Sequence, residues 1–353
     1  MRRSCLLLAC LVFAVEAHGQ ALLHVPDLPT PPVPSAAAPA VAASPSAPAP
    51  AAPATVPASA PVFRSGVDLV ALNVVVTDTQ RKFVTGLQLQ DFAVYEDGIQ
   101  QDVSYFAATA IPLDLAILLD TSASMTDKIQ SVQQAATGFA STLRPGDRAM
   151  IVDIKDATRI IQPLTGDVQA ALAAIKSTSA RGGTGLYNGL YLTLKEMIKE
   201  RRDNGDVRRQ AIVVLSDGDD TASLVTYDDV MEVAKQAGIA IYTITLRSHF
   251  DVQQATATSH RYFSQSEFAM KSLAQETGAR SFFPMEITEL AGVYTSIAEE
   301  LATEYAIGYM SKNPRRDGMF RRVVVRIAEH PGTQTRTRTG YMAARADRRA
   351  ATH

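Results

Sequence analysis

The feature that most constrains the fold is an alternation of apolar strands and helices that begins at Leu113. The run Leu115-Ala116-Ile117-Leu118-Leu119 is apolar without interruption, and residues 211–215 (Ala-Ile-Val-Val-Leu) repeat the pattern. Continuous runs of this kind indicate strands that are buried on both faces. Further strands are predicted at 149–154, 159–162 and 239–246, and helices at 127–142, 167–177, 186–200, 227–237, 267–276 and 287–302. The alternation predicts an α/β fold: a doubly wound, mostly parallel sheet with helices on both sides.

Strand patterns without helices lie on both sides of this unit. The N-terminal group covers 67–76 and 103–106, with a turn signal at Tyr95-Glu96-Asp97-Gly98. The C-terminal group covers 305–310, 321–327 and 333–341. Neither group alone makes a sheet that is stable by itself. We therefore expect the two groups to pair into one small β-sandwich, with the α/β unit inserted between them.

The first 61 residues have a different composition. Residues 1–20 have the charged start, apolar run and small-residue end of a secretory signal peptide. Pro and Ala make up 25 of the 38 residues from 24 to 61, so residues 21–61 are expected to form an extended spacer. Cys5 and Cys10 both fall in the leader, which excludes disulfide frameworks and thiolate metal sites in the mature chain. The protein is predicted to be bacterial and secreted, periplasmic or in the cell envelope, without a later membrane span.

The predicted organisation is completed by N-terminal sandwich strands at 62–110, the α/β domain at 111–303, C-terminal sandwich strands at 304–342 and a basic tail at 343–353. The formal charge of the chain is -2, which argues against a general nucleic-acid binder. Residues 311–353 are nevertheless basic, with 11 Lys and Arg against 3 acids. On a strand in this region, Arg336 and Arg338 either meet a phosphate-rich surface or protect an exposed sheet edge.

Five oxygen-bearing side chains follow the buried strands. Asp120, Ser122 and Ser124 come directly after the first strand, Thr184 lies in a glycine-rich loop, and Asp217 follows the strand that ends at Leu215. Ligands of open α/β sheets bind at this carboxyl edge. Two carboxylates and three hydroxyls suit a hard divalent cation, Mg²⁺ first and Mn²⁺ or Ca²⁺ as alternatives. Taken singly, such residues more often cap a helix, but the joint set favours a metal site.

At these residues the chain resembles the von Willebrand factor type A family. The metal-ion-dependent adhesion site of that family has the pattern Asp-x-Ser-x-Ser, then a Thr, then an Asp, and all five positions are matched here in order. The resemblance covers about residues 113–303. It implies that the hydroxyls bind the metal directly and that the carboxylates bind directly or through water. From the complete set of five groups, we further expect the metal to accept a carboxylate from a partner protein.

Two other functions stay open on the sequence. A metal-assisted hydrolase would need a base, and His249 and His260 flank a loop that opens on the same edge. A structural module of an envelope assembly would need no metal. We favour a non-enzymatic binding protein, because a catalytic base is not evident beside the five residues. Nucleotide binding is not expected, since the spacing of the glycines around Thr184 does not fit a dinucleotide fingerprint.

The segment from Ser248 to Ser266 is predicted to set the choice of partner. It follows a strand that ends on the metal edge and is long for a strand-to-helix connection. Its candidate partner-binding residues are His249, Asp251, His260, Arg261 and Tyr262. The alternative is an ordinary surface loop.

Overall fold

The computed structural model describes residues 69–108, 111–204, 208–217, 219–246, 264–328, 330 and 332–345. The first four strands are β1 (Leu69–Thr77), β2 (Phe92–Glu96), β3 (Ile99–Gln101) and β4 (Val103–Ala107). The predicted turn joins β2 to β3: Asp97 and Gly98 both have positive φ, as a two-residue hairpin turn requires.

The α/β unit follows β4. Its elements are β5 (Leu113–Asp120), α1 (Ile129–Ala140), β6 (Arg148–Ile154), β7 (Arg159–Thr165), α2 (Val168–Ser177), α3 (Leu186–Asn204), β8 (Arg209–Ser216), α4 (Tyr227–Ala237), β9 (Ala240–Thr245), α5 (Gln265–Thr277), β10 (Ser281–Phe282) and α6 (Leu290–Thr303). The sheet order is β10-β9-β8-β5-β6-β7, and only the β6–β7 pair is antiparallel. Helices α1, α2 and α6 pack on one face, and α3, α4 and α5 on the other. The prediction of a doubly wound, mostly parallel sheet is confirmed.

The chain then returns to the sandwich. Four strands complete it: β11 (Tyr305–Met310), β12 (Phe320–Ile327), β13 (Gln334–Arg336) and β14 (Gly340–Met342). The first sandwich sheet has the order β13-β1-β11-β4, and the second sandwich sheet has the order β14-β12-β2-β3. Each sheet therefore mixes strands from before and after the α/β unit, and their inner faces share one apolar core. The predicted insertion of the α/β unit into a sandwich is confirmed.

One predicted strand differs from the structure. The sequence predicts a single strand over 333–341, but the chain forms β13 and β14, which belong to different sandwich sheets. Between them, the backbone N–H of Thr339 donates to the carbonyl oxygen of Glu276 on α5 (3.2 Å), and the Thr339 hydroxyl donates to the Glu276 carboxylate (2.6 Å). These tertiary contacts hold the chain where it crosses from one sheet to the other.

The same crossing docks the sandwich on the α/β unit. Arg336 forms an ion pair with Glu300 of α6 (2.5 Å) and donates to the carbonyl oxygen of Gly278 (2.6 Å). Gly278 has a φ of 83°, and a Cβ there would collide with the backbone nitrogen of Arg338. Arg336 and Arg338 therefore face the α/β unit, and neither sequence-based role for them, a phosphate contact or edge protection, describes their place.

Candidate metal centre

The predicted ligands lie on loops that meet at one edge of the central sheet. Strands β5 and β8 are parallel neighbours, with Leu119 paired with Leu215, so Asp120 and Asp217 emerge at the same carboxyl edge. The backbone N–H of Ala123 donates to the carbonyl oxygen of Gly182 (2.9 Å), which ties the first loop to the loop that carries Thr184. The structure thus brings all five predicted residues to one edge.

Asp120 is buried, with 0% of its surface exposed. Its Oδ1 accepts the backbone N–H of Ser122 (2.9 Å), and its Oδ2 accepts the hydroxyl of Ser216 (2.6 Å). Burial raises the pKa of this carboxyl above its ordinary value of 3.8, although the hydrogen bonds from Ser216 and Ser122 oppose that rise. The negative charge of nearby Asp217 raises the Asp120 pKa further. A second carboxylate therefore lies close enough to affect the first.

The hydroxyl residues of the set lie on the loops at the same edge. The Oγ atoms of Ser122 and Ser124 are 2.9 Å apart. Thr184 is buried and fixed by the segment after β8: its N–H donates to the Thr221 hydroxyl (2.9 Å), and its carbonyl oxygen accepts the N–H of Thr221 (2.9 Å). The hydroxyls therefore lie on backbone that is held from both sides.

The donor set fits a hard divalent cation. Among the described residues, no Lys, Arg or His forms an ion pair with Asp120 or Asp217, so their combined negative charge has no basic partner there. In the same part of the chain, no group of three or more His, Cys, Asp or Glu residues gathers as a metal site. A cation at this edge would depend on two carboxylates together with the hydroxyls, a set of oxygen donors alone.

The helix-capping alternative does not describe these residues. Helix α1 begins after Lys128, which provides no side-chain cap. A short 3-10 turn at 123–125 begins after Ser122, again without a side-chain cap. Asp120 instead accepts hydrogen bonds from its own loop and from β8, and Ser124 contacts Ser122.

Other supporting residues were missed at the sequence level. Ser216, the last residue of β8, donates directly to Asp120. The hydroxyl of Thr121 donates to Asp153, and Asp153 forms a buried ion pair with Lys155 (2.6 Å). The carbonyl oxygen of Lys155 lies where a Cβ on Gly185 would approach to 2.7 Å, so the Thr184 loop needs glycine at that position. Only the register of β5 against β8 could have indicated Ser216, because a single serine at a strand end has no spacing signal.

Two acids near the edge have partners of their own. Asp220 accepts the hydroxyl of Ser223 (2.7 Å), and Asp219 accepts the hydroxyl of Ser266 (3.0 Å). Asp219 is exposed. These hydrogen bonds account for both carboxylates without a role as ligands.

The predicted partner-binding residues lie outside the described residues. This concerns His249, Asp251, His260, Arg261 and Tyr262. His330, which is described, lies on the sandwich with its Nε2 4.0 Å from Asp91, and so is no candidate base for this edge. None of the helices described above combines the length and the hydropathy that a membrane span requires.

Part of the central domain matches a known protein family. Residues 115–219 match the family model of the von Willebrand factor type A domain. A UPF0353 protein of Mycolicibacterium paratuberculosis is 26% identical over 205 residues, which cover 53% of this chain and 60% of that protein. An uncharacterized protein of Synechocystis sp. is 30% identical over 160 residues, 42% of this chain and 36% of that protein. The matched part of this chain thus spans less than two thirds of either relative.

Solved structures with a similar fold include a von Willebrand factor type A protein from Catenulispora acidiphila. It is 13% identical, has a TM-score of 0.45, and the match covers 82% of this chain and 76% of that one. Another is proximal thread matrix protein 1 of the mussel byssus with a zinc-occupied MIDAS motif. It is 15% identical, with a TM-score of 0.44, and covers 59% of this chain and 50% of that one.

The family match runs from β5 to the segment after β8 and includes all five predicted ligands. Residues 115–219 of the α/β unit therefore belong to the von Willebrand factor type A domain family.

Proposed function

We propose that this protein is a secreted, non-enzymatic binding module that uses a divalent cation to hold an acidic residue of a partner protein. Asp120, Ser122, Ser124, Thr184 and Asp217 would hold the cation, with Mg²⁺ as the first choice. The observation that carries the proposal is the buried Asp120 carboxylate, which lies beside a second carboxylate and the serine hydroxyls. It has no basic partner among the described residues.

The chain's own groups would prepare the site in advance. Ser216 and the N–H of Ser122 hold the two oxygens of Asp120 in place, and Thr221 holds the backbone of Thr184. When bound, the cation would supply the positive charge that attracts a carboxylate. Five protein groups leave room for water or for that incoming carboxylate. Affinity would come from the metal, and the choice of partner from the surrounding surface.

Secretion is part of the proposal. The predicted leader at 1–20 and the spacer at 21–61 support export of the folded part, because they match the layout of a signal peptide followed by a stalk. The absence of cysteine after Cys10 means that a cation site built of oxygen atoms would not depend on the redox state of the compartment.

Metal binding can be tested by calorimetric titration of Mg²⁺ and Mn²⁺ into the full chain. We expect wild type to bind and Asp120→Asn to lose at least about a hundredfold in affinity, since one of two charged ligands is removed. Asp127→Asn is the matched control, because Asp127 is an exposed acid only three residues after Ser124. A wild type that binds neither ion, or equal affinity in Asp120→Asn, would contradict the metal site.

The nature of the partner can be tested by selecting displayed peptides on the immobilised protein in Mg²⁺ and eluting them with chelator. We expect the eluted peptides to share an Asp or Glu whose replacement by Asn or Gln abolishes binding. Peptides without such an acid would overturn the carboxylate part of the proposal. Metal-dependent turnover of a phosphoester or ester would instead favour the hydrolase.

A further inference from the structure

The outward side of β12 differs from an ordinary solvated strand. Its outward residues are Phe320, Arg322, Val324 and Arg326, which alternate with the residues turned to the sandwich core. A sheet face that meets only water usually presents polar residues at such positions. Here arginines alternate with apolar side chains, and Phe320 is 38% exposed.

The neighbouring strands continue this surface. By register, Tyr95 of β2 lies opposite Val324, and Met342 of β14 lies opposite Phe320. The Arg326 guanidinium lies 5.5 Å from the centre of the Tyr95 ring. Phe320, Arg322, Val324, Arg326 and Tyr95 are called the arginine face below. Its strand positions include no acid.

The arginines of this face have no carboxylate partner in the part of the chain that the structure describes. Arg322 and Arg326 are exposed and form no ion pair there. The acid beside Arg322 is Asp97 at the β2–β3 turn, and its Oδ1 accepts the backbone N–H of Arg322 (2.9 Å). By contrast, Arg321 turns inward and pairs with Asp317 (2.9 Å). The arginine face therefore keeps a net positive charge.

The loop before β12 also presents an apolar side chain beside an arginine. Met319 is 61% exposed directly beside Phe320, and Arg315 in the same loop is exposed. Met319 and Phe320 are adjacent exposed apolar side chains, and apolar side chains grouped on a surface mark interaction sites more often than single ones do. A partner that suits them beside arginines is both apolar and negative. The interface of an anionic bilayer has both properties: phosphate groups outside and acyl chains beneath.

We propose that the arginine face, with Met319, binds the surface of a membrane that contains anionic lipids. The arginines would contact headgroup phosphates through their guanidinium groups, and the apolar side chains between them would enter the headgroup region. A soluble anionic polymer would satisfy the arginines but leave Met319, which is 61% exposed, without an apolar partner. The proposal does not depend on the metal site, since every residue named belongs to the sandwich.

Sedimentation of the full chain with lipid vesicles tests this. One set contains phosphatidylcholine and phosphatidylglycerol at about seven to three, the other phosphatidylcholine alone. We expect wild type to bind the vesicles that contain phosphatidylglycerol, more weakly as salt is raised. It should not bind vesicles of phosphatidylcholine alone. Arg322→Glu with Arg326→Glu should lower the partition coefficient at least about tenfold, and Met319→Ser a few-fold. Chelator should change neither value.

The matched control is Lys176→Glu with Lys195→Glu, which changes the net charge equally at two exposed helix positions of the α/β unit. It should bind the anionic vesicles like wild type. Equal loss in this control, or no preference of wild type for anionic vesicles, would overturn the proposal. If dextran sulfate binds wild type but not the arginine double variant, while Met319→Ser binds vesicles like wild type, the partner is an anionic polymer and the lipid assignment is wrong.

Discussion

Buried carboxylates lie both at the carboxyl edge of the central sheet and at its junction with the sandwich, but their partners differ. At the junction, Glu300 is 0% exposed, pairs with Arg336 (2.5 Å) and accepts the Tyr242 hydroxyl (2.6 Å). Glu304, four residues on, accepts the same hydroxyl (3.0 Å) and pairs with Arg209 (3.5 Å). At the edge, Asp120 instead accepts serine hydroxyls and the backbone N–H of Ser122. The protein neutralises its own charge at the junction and leaves it available at the edge.

Two further buried acids sharpen this comparison. Asp153 lies one strand away from Asp120 and is paired with Lys155, so a basic partner can be accommodated near this edge. Glu96 in the sandwich has hydroxyl donors alone, but there are three of them: Tyr309 (2.9 Å), Tyr341 (2.9 Å) and Ser311 (2.6 Å). Asp120, by contrast, has a second carboxylate, Asp217, close enough to raise its pKa. A bound cation would offset the repulsion between these two carboxylates.

The largest expected effect is a loss of stability when the ion pair at the junction is removed. Arg336→Ala would leave Glu300 buried without its close basic partner, because its other ion pair, with Arg280, is 3.7 Å long. We expect the free energy of unfolding to fall by about 3 kcal/mol, measured by urea denaturation. Arg322→Ala, an exposed arginine on the same sandwich, is the control and should change stability by less than about 0.5 kcal/mol. A loss of the same small size in Arg336→Ala would remove the contrast between the two regions.

The next effect concerns the support of Asp120. Ser216→Ala removes a hydroxyl that holds Oδ2 at 2.6 Å, so the carboxylate would be less well oriented for a cation. Loss of such a supporting hydrogen bond should lower Mg²⁺ affinity about tenfold in calorimetry. Ser131→Ala on α1 should leave the affinity unchanged, and a similar loss there would point to a general effect on the fold.

The pH dependence of the free energy of unfolding, measured on the metal-free protein, tests the environment of the Asp120 carboxyl. Burial raises the pKa of Asp120 in the folded state above 3.8, so the folded state binds the proton more tightly than the unfolded state. The contribution of this group to stability is complete below about pH 3.8 and is lost as the pH rises through the folded-state pKa. The slope should be on the order of 1 kcal/mol per pH unit within that window.

Asp120→Asn should lack this slope. The difference in unfolding free energy between wild type and the variant, measured by urea denaturation over a pH series, should therefore move in favour of the variant as the pH rises. Movement in the opposite direction would mean that the folded state stabilises the ionised form of Asp120.

The smallest effect is expected from replacing Asp219, which follows the predicted ligand Asp217. Because Asp219 is exposed, solvent screens its charge. Its carboxylate also accepts a hydrogen bond from Ser266. Asp219→Asn should alter Mg²⁺ affinity by less than about twofold in calorimetry at moderate salt. A larger loss would extend the cation site beyond the five residues.

The sequence predicts the central architecture because apolar runs determine it. The runs at 115–119 and 211–215 are long enough to indicate buried parallel strands, and their ends place Asp120 and Asp217 at one edge. The turn at Asp97-Gly98 is equally local, since positive φ at two adjacent positions limits the residues that fit.

Tertiary contacts determine what the sequence could not predict. The division of residues 333–341 into two strands depends on contacts with Glu276 and Gly278, which lie about sixty residues earlier in the chain. The inward position of Arg336 depends on Glu300, which is buried by the packing of a distant helix. The Asp153–Lys155 pair has no spacing signal, because an acid and a base two residues apart at a strand end usually face water.

The central claim is that Asp120 belongs to a cation site, whereas Glu300 is neutralised within the protein. Urea denaturation of wild type, Asp120→Asn and Arg336→Ala, each with chelator and with saturating Mg²⁺, tests it most directly. At a concentration of Mg²⁺ one hundred times its dissociation constant, wild type should gain about 2.7 kcal/mol of stability. Arg336→Ala should gain the same increment from a lower starting point, and Asp120→Asn should gain none. An equal gain in Asp120→Asn, or no gain in wild type, would contradict the account.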